Sequence, residues 1–333
     1  MPHAGMREAG NAVNTTEEEI IMRDTVIIIG SGLMGSGIAA CSALAGNKTV
    51  LVDINPDQLE RGLKSARANI AELLENGLAE EDQARKAEEL ISTAPDYEEF
   101  RDSASLVIEA VVENLELKQK LFARMDQVFP PEVPLLSNTS GLRITDIALL
   151  TSHPQRTVTS HFWFPGHLVP LVEVVVGDRT DLSVACAVRD TLKSWGKAAV
   201  LVKRDLPGQL ANRILQAVIR EAVNIVEIGL AEPEDIDTAV KMGMGIRMPV
   251  WGPLEHIEAA GLDLCLNVQR TVLPEISSRT TPSPVMEQLV ENGNLGYKSG
   301  RGFYDWSVKD MDKLAGTRND FIIMARKFMQ SRE

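Results

Sequence analysis

The stretch VIIIGSGLMGSG, residues 26–37, constrains this chain more than any other. Val26, Ile27, Ile28 and Ile29 form a β-branched run without polar alternation, the pattern of a parallel strand covered on both faces. Gly30, Gly32 and Gly35 follow with the spacing G-x-G-x-x-G, and a run of small residues then restarts as a helix able to lie close to a sheet, with Gly46 as its stop. A second apolar run, TVLVD, ends at Asp53, 23 residues after Gly30 and near the spacing of about 20 expected of a dinucleotide-binding βαβ unit. Glycines there let the backbone approach a pyrophosphate, and the helix start offers unpaired N–H groups at its positive end. Asp53 is placed to accept hydrogen bonds from the adenosine ribose. The same carboxylate repels a 2′-phosphate, and Ile54, Asn55 and Pro56 supply no arginine to receive one, so NAD is expected rather than NADP.

A chain of 333 residues has room for two domains, and a formal charge of −13 without a compensating basic block excludes a nucleic-acid backbone as the main partner. No stretch approaches the 18 or so apolar residues of a membrane span. Residues 1–23 contain three consecutive glutamates and no apolar signal region, and read as a disordered extension or as an upstream start before Met22. Cys41, Cys186 and Cys265 lie far apart, which suits a reducing compartment, and the five histidines lack metal-ligand spacing. A cytoplasmic, metal-free protein is expected.

Apolar runs at 105–112, 134–138, 156–162 and 198–202 alternate with helical stretches, which builds a parallel sheet with crossover helices. At DLPGQL the texture changes. A long helix follows, apolar at 210, 214, 215, 218, 219, 222, 223 and 226, and so wide an apolar face reads as core-packed more readily than as a subunit interface. The expected fold class is therefore α/β: a Rossmann-like doubly wound parallel sheet over residues 24–205, then an all-helical C-terminal domain over 206–333 for substrate binding and dimerisation, with GFYDW as one short late strand. Ligands of open α/β sheets bind beyond the carboxyl ends of the strands. Three such ends carry polar residues: Glu109, Glu113 and Lys118; Asn138, Thr139 and Ser140; and His161 with Glu173 twelve residues later.

VIIIGSGLMGSGIA, VIEAVVENLELKQKLF, SNTSGLRITDIA, SHFWFPGHLVPLVEVV, DLPGQLANRIL, WGPLEHIEAAGLD and LGYKSGRGFYDW together make the chain resemble the L-3-hydroxyacyl-CoA dehydrogenases from about residue 24 to 308. The resemblance implies that His161 is the catalytic base and Glu173 its orienting partner, with Ser140 and Asn212 around the reacting oxygens. It implies a cofactor site built from Gly30, Gly32, Leu33, Met34, Gly35, Asp53, Glu113, Lys118, Ser140 and Lys298, and a homodimer formed through the helical domain. An imidazole, with an ordinary pKa near neutrality, suits acceptance of the hydroxyl proton as hydride leaves C3, and a carboxylate on its other nitrogen fixes the tautomer. Because Asn212 comes from the second domain, the site is expected in the interdomain cleft.

Two departures from the family pattern bear on the substrate. Where the family commonly reads H-F-F-N-P-V this chain reads HFWFPG, so Phe164 stands in place of an asparagine expected near the nicotinamide ribose. Residues 69–90 carry seven acids against Arg85 and Lys86, a poor face for CoA phosphates, although Arg61, Lys64 and Arg67 offer basic positions. The expected activity is NAD-dependent oxidation of a short L-3-hydroxyacyl-CoA, with a place in fatty-acid metabolism. A small free 3-hydroxy acid such as L-gulonate or L-carnitine is the alternative substrate, and a silent NAD-binding or structural protein is the alternative class.

Overall fold

The computed structural model describes residues 23–332, so residues 1–22 of the expected extension lie outside the described residues. Eight strands form one sheet: β1 Thr25–Ile29, β2 Lys48–Val52, β3 Ile91–Ala94, β4 Ala104–Glu109, β5 Leu135–Ser137, β6 Thr157–Phe162, β7 Leu171–Val175 and β8 Ala198–Val202. Their order is β3-β2-β1-β4-β5-β6-β7-β8. The chain steps outward to β3 and then crosses back to β4, which opens the crevice between β1 and β4 where dinucleotide-binding sheets take their ligand.

Alternate residues of β1 feed the two faces. Val26 and Ile28 pack with α1 Leu33–Leu44, α2 Pro56–Glu75 and α3 Glu81–Leu90. Ile27 and Ile29 pack with Phe122 and Met125 of α4 Leu115–Val128 and with Ile144 and Ile147 of the short α5 Ile144–Ile147. Burial on both faces is why β1 has no polar alternation. The sheet departs from the all-parallel expectation at one pair, since β6 and β7 run antiparallel. That reversal puts His161 opposite Glu173. A valine-rich run reads the same in either direction, so the sequence pattern does not report it.

After α6 Leu182–Ser194 and β8, the chain becomes helical: α7 Ala211–Glu227, α8 Pro233–Ala239, α9 Pro253–Ala260, α10 Leu262–Val272, α11 Pro284–Glu291 and α12 Met311–Gln330. Here GFYDW, residues 302–306, contributes only Asp305 to an isolated bridge with Arg301, beside a second bridge of Arg301 with Gly296, rather than a strand. The reading of α7 as a core helix is also corrected. Val223 alone in it is buried, while Ile214 is 50% and Leu215 41% exposed, because the later helices do not close around its apolar face within one chain. α12 also meets the first domain: Ile323 packs with Leu73 of α2 and with Leu168 after β6, and Arg326 donates to the carbonyls of His167 and Leu168 at 3.1 and 3.3 Å. No helix among the described residues is long and apolar enough to cross a membrane.

Candidate active site

The turn between β1 and α1 is built for close backbone approach. Gly30 has φ +101°, and a Cβ there would meet the Ala110 carbonyl oxygen at 2.6 Å; one on Gly35 would collide with the Gly30 carbonyl. At Gly32, the residue before α1, nothing lies within 4 Å of a Cβ position. No side chain caps that helix start, and its first turn holds no acid, so its N–H groups face open space. A cavity of about 440 Å³ adjoins it, lined by Gly30, Gly32, Asp53, Ile54 and Val112 among others. Asp53 is oriented by Ser31, whose N–H and hydroxyl each donate to Oδ2 at 3.1 Å, and by the N–H of Asn55 on Oδ1 at 3.1 Å. Leu33, Ile54 and Val112 are exposed around the mouth. Met34 packs toward Gly166 in the loop after β6. A small-residue turn, an uncapped helix start and a carboxylate at the end of β2 fit the diphosphate and ribose of a dinucleotide.

Glu113 organises the turn after β5. Its Oε1 accepts from the Thr139 hydroxyl at 2.6 Å and from the N–H groups of Ser140 and Gly141 at 3.2 and 3.1 Å. Burial pushes its pKa up, but the Thr139 hydrogen bond and the Lys118 charge outweigh that and hold it below the usual value. Lys118 itself is 1% exposed, with Nζ 2.5 Å from Glu109 Oε1 and 3.4 Å from Glu113 Oε2. Glu109 also accepts from Ser137, so Lys118 braces the strand ends and reaches the crevice through Glu113. Lys298 is not brought to this group: it stands exposed in the turn Tyr297–Ser299 of the helical region.

The His161–Glu173 pair is the most constrained part of the site. His161 Nδ1 lies 2.8 Å from Glu173 Oε2, and the indole N–H of Trp163 donates to the same oxygen at 3.1 Å. The other oxygen, Oε1, accepts the N–H groups of Leu210 and Ala211 at 2.9 and 2.7 Å, so the carboxylate caps the start of α7. Burial alone would raise the Glu173 pKa, but the hydrogen bonds from His161, Ala211 and Trp163 prevail and hold it below the usual carboxylate value. An ionised carboxylate only accepts, so Nδ1 carries the proton and Nε2 is left as the accepting nitrogen.

The start of α7 also docks on the Ser140 turn. Gln209, with φ +46°, donates from Nε2 to the Thr139 carbonyl at 3.2 Å, and Asn212 Nδ2 lies 3.5 Å from the Ser140 carbonyl. Ser140, His161, Glu173 and Asn212 are therefore gathered at one corner, with Ser140 exposed and Glu173 fully buried. From Asn212 a cavity of about 880 Å³ runs along α7. Phe164, 52% exposed, lies under the Arg318 guanidinium of α12 at 5.3 Å from the ring centre. Arg61, Lys64 and Arg67 are exposed on one face of α2, whereas Glu72, counted among the seven acids, pairs with His167 at 2.8 Å.

Sequence reasoning missed Trp163, the α7 backbone donors and Gln209. The alternation that points His161 and Trp163 to the same side of a strand end was a usable signal for the first. Nothing local marks backbone N–H groups 37 and 38 residues away as partners of Glu173.

Residues 25–206 match the family described as 3-hydroxyacyl-CoA dehydrogenase, NAD binding domain, and residues 208–306 match 3-hydroxyacyl-CoA dehydrogenase, C-terminal domain. A probable 3-hydroxybutyryl-CoA dehydrogenase of Bacillus subtilis is 39% identical over 285 residues, 85% of this chain and 98% of that one. A 5-formyl-3-hydroxy-2-methylpyridine 4-carboxylate 5-dehydrogenase of Mesorhizobium japonicum is 32% identical over 311 residues, 92% of this chain and 99% of that one. Among solved structures, a 5-formyl-3-hydroxy-2-methylpyridine 4-carboxylic acid 5-dehydrogenase, described as an NAD+ dependent dismutase, superposes with a TM-score of 0.85 at 31% identity, covering 94% of this chain and 100% of that one.

Proposed function

The chain belongs to the 3-hydroxyacyl-CoA dehydrogenase family as an NAD-dependent oxidoreductase, and from that premise we propose that it oxidises the C3 hydroxyl of a short L-3-hydroxyacyl-CoA to the 3-oxo product. The observation that carries the reading is the His161–Glu173 pair at 2.8 Å, with both carboxylate oxygens engaged and Nε2 left as acceptor. When bound, NAD supplies the hydride acceptor. His161 Nε2 takes the hydroxyl proton, and Glu173 stabilises the imidazolium as it forms. Ser140 and Asn212, from the two sides of the cleft, hold the reacting oxygens, and Glu113 with Lys118 sets the turn that carries Ser140. Gly30, Gly32, Leu33, Met34, Gly35 and Asp53 receive the cofactor. Residues 24–205 act as the NAD-binding unit and 206–333 as the helical unit. A cytoplasmic location and a place in fatty-acid metabolism belong to the same proposal.

A homodimer is part of it. Leu262, Leu264 and Val268 of α10 are each about half exposed, as are Ile214 and Leu215 of α7, an apolar area that a second copy of the chain would cover. Sedimentation equilibrium is expected to return twice the chain mass, and a monomer at micromolar concentration would remove this part of the reading.

A second reading replaces the thioester by a small free hydroxy acid. It is favoured by the longer match to the pyridine-carboxylate dehydrogenase, 92% of this chain against 85% for the hydroxybutyryl-CoA relative, and by the acids on α2 and α3. Initial rates of NADH formation separate the two. With 3-hydroxybutyryl-CoA, longer 3-hydroxyacyl-CoAs, carnitine and gulonate as the panel, the thioesters are expected to be turned over, and turnover confined to a free acid would decide for the second reading.

Cofactor choice is expected to rest on Asp53, whose carboxylate is held toward the cavity by Ser31 and Asn55. Asp53→Ala should weaken NAD binding and narrow the preference over NADP. An unchanged ratio of kcat/KM for the two cofactors would count against the ribose contact.

A further inference from the structure

The 880 Å³ cavity beginning at Asn212 has a lining unlike the rest of this acidic chain. One wall is a single face of α7, on which Asn212, Gln216 and Arg220 follow at intervals of four residues, with Arg213 beside them. The opposite wall, residues 277–286, brings Ser277, Thr280, Thr281 and Arg279. Arg279 is already neutralised by a two-pronged contact with Glu227 at 2.6 and 2.8 Å. Arg220 is different. It makes one long contact, from Nη1 to the Arg279 carbonyl at 3.4 Å, and no carboxylate among the described residues lies within ion-pair distance of it or of Arg213.

A guanidinium without a counter-charge, in a cavity that starts at a residue of the reacting corner, is suited to a planar carboxylate. Eight residues of helix separate Asn212 from Arg220 by about 12 Å, so one face of α7 joins the reacting corner to the Arg220 guanidinium through the cavity. We propose that Arg220, assisted by Arg213, binds a carboxylate carried by the substrate beyond its hydroxyl-bearing carbon, so that the preferred substrate is a 3-hydroxy compound with a remote acid group. The inference deepens the function proposed above and rests on it. It holds for an ω-carboxyacyl thioester and for a small hydroxy acid alike, since both present the same group to the cavity.

Two substrates of equal chain length isolate that group: L-3-hydroxyadipyl-CoA, which ends in a carboxylate, and L-3-hydroxyhexanoyl-CoA, which ends in a methyl. The intact enzyme is expected to favour the first by tenfold or more in kcat/KM. Arg220→Gln should remove about 30-fold or more from the carboxylated substrate, mainly through KM, and leave the other within about threefold. Equal rates on the two substrates, or an equal loss on both in the variant, would overturn the proposal while leaving the oxidation itself intact. If neither thioester is oxidised, calorimetric titration of adipate into the NADH-loaded protein still decides. Binding that disappears in Arg220→Gln sustains the carboxylate site, and absence of binding to the unmodified protein, as when a second copy of the chain fills the cavity, overturns it.

Discussion

The His161→Gln protein is expected to lose roughly two to four orders of magnitude in kcat, the usual scale for a positioned general base, with little change in NADH affinity. The free nitrogen of the imidazole decides the outcome. Glu173 is held below the usual carboxylate pKa, so it accepts and cannot donate, and the proton of His161 stays on Nδ1. Nε2 is then the nitrogen left open to receive the hydroxyl proton in the proposed reaction. Glutamine can fill the space and hydrogen bond to Glu173, but it has no basic nitrogen. His161 is not among the residues that line the cavity at Asp53 and the β1–α1 turn, where the adenosine end of the cofactor is proposed to bind. Fluorescence titration with NADH beside steady-state kinetics checks both halves, and a variant keeping most of its activity would mean that the proton leaves by another path.

Glu173→Gln is expected to damage both chemistry and packing. The native carboxylate receives four donors, from His161, Trp163, Leu210 and Ala211, and both of its oxygens are used. An amide offers one oxygen and one NH2 group. If the oxygen faces His161 and Trp163, the NH2 meets the N–H groups at the start of α7; if it is turned, the NH2 meets the imidazole N–H. Either orientation leaves buried donors without an acceptor, which costs about 1–3 kcal/mol in stability, and kcat should fall by roughly two orders of magnitude or more as the tautomer is released. The pH dependence follows in sign. A carboxylate whose folded-state pKa is depressed contributes stability above its unfolded pKa and loses it as pH falls through the folded value. The wild type should therefore lose its attachment of α7 in acid, below the ordinary carboxylate range. In Glu173→Gln that acid-dependent component should be absent, and thermal melts at several pH values that fall in parallel for the two proteins would contradict it.

The glycine turn, Asp53 and the strand ends are legible in the sequence because they depend on local geometry. A β-branched run, three spaced glycines and an acid at the next strand end leave few other arrangements. The helical half is also legible as helices, through its period, but not in how it packs. The apolar face of α7 reads as core, yet the chain alone leaves most of it uncovered, since periodicity reports that a face seeks a partner and not which chain supplies it. Lys118 shows a related limit. The family resemblance implies that it lies near the cofactor, but no sequence spacing announces its buried ion pair with Glu109, nine residues away at the end of β4. Nor does sequence spacing announce that Glu173 caps a helix 37 residues later, because its donors are main-chain groups common to every residue.

Hydride transfer from C3, with the proton passing to His161, is the centre of the account, and it is tested most directly by following deuterium from L-3-hydroxybutyryl-CoA labelled at C3. The label is expected in the reduced nicotinamide in one-to-one amount with the 3-oxo product, with none of it passing to water. Label released to solvent, or a 3-oxo product formed without labelled NADH, would contradict it.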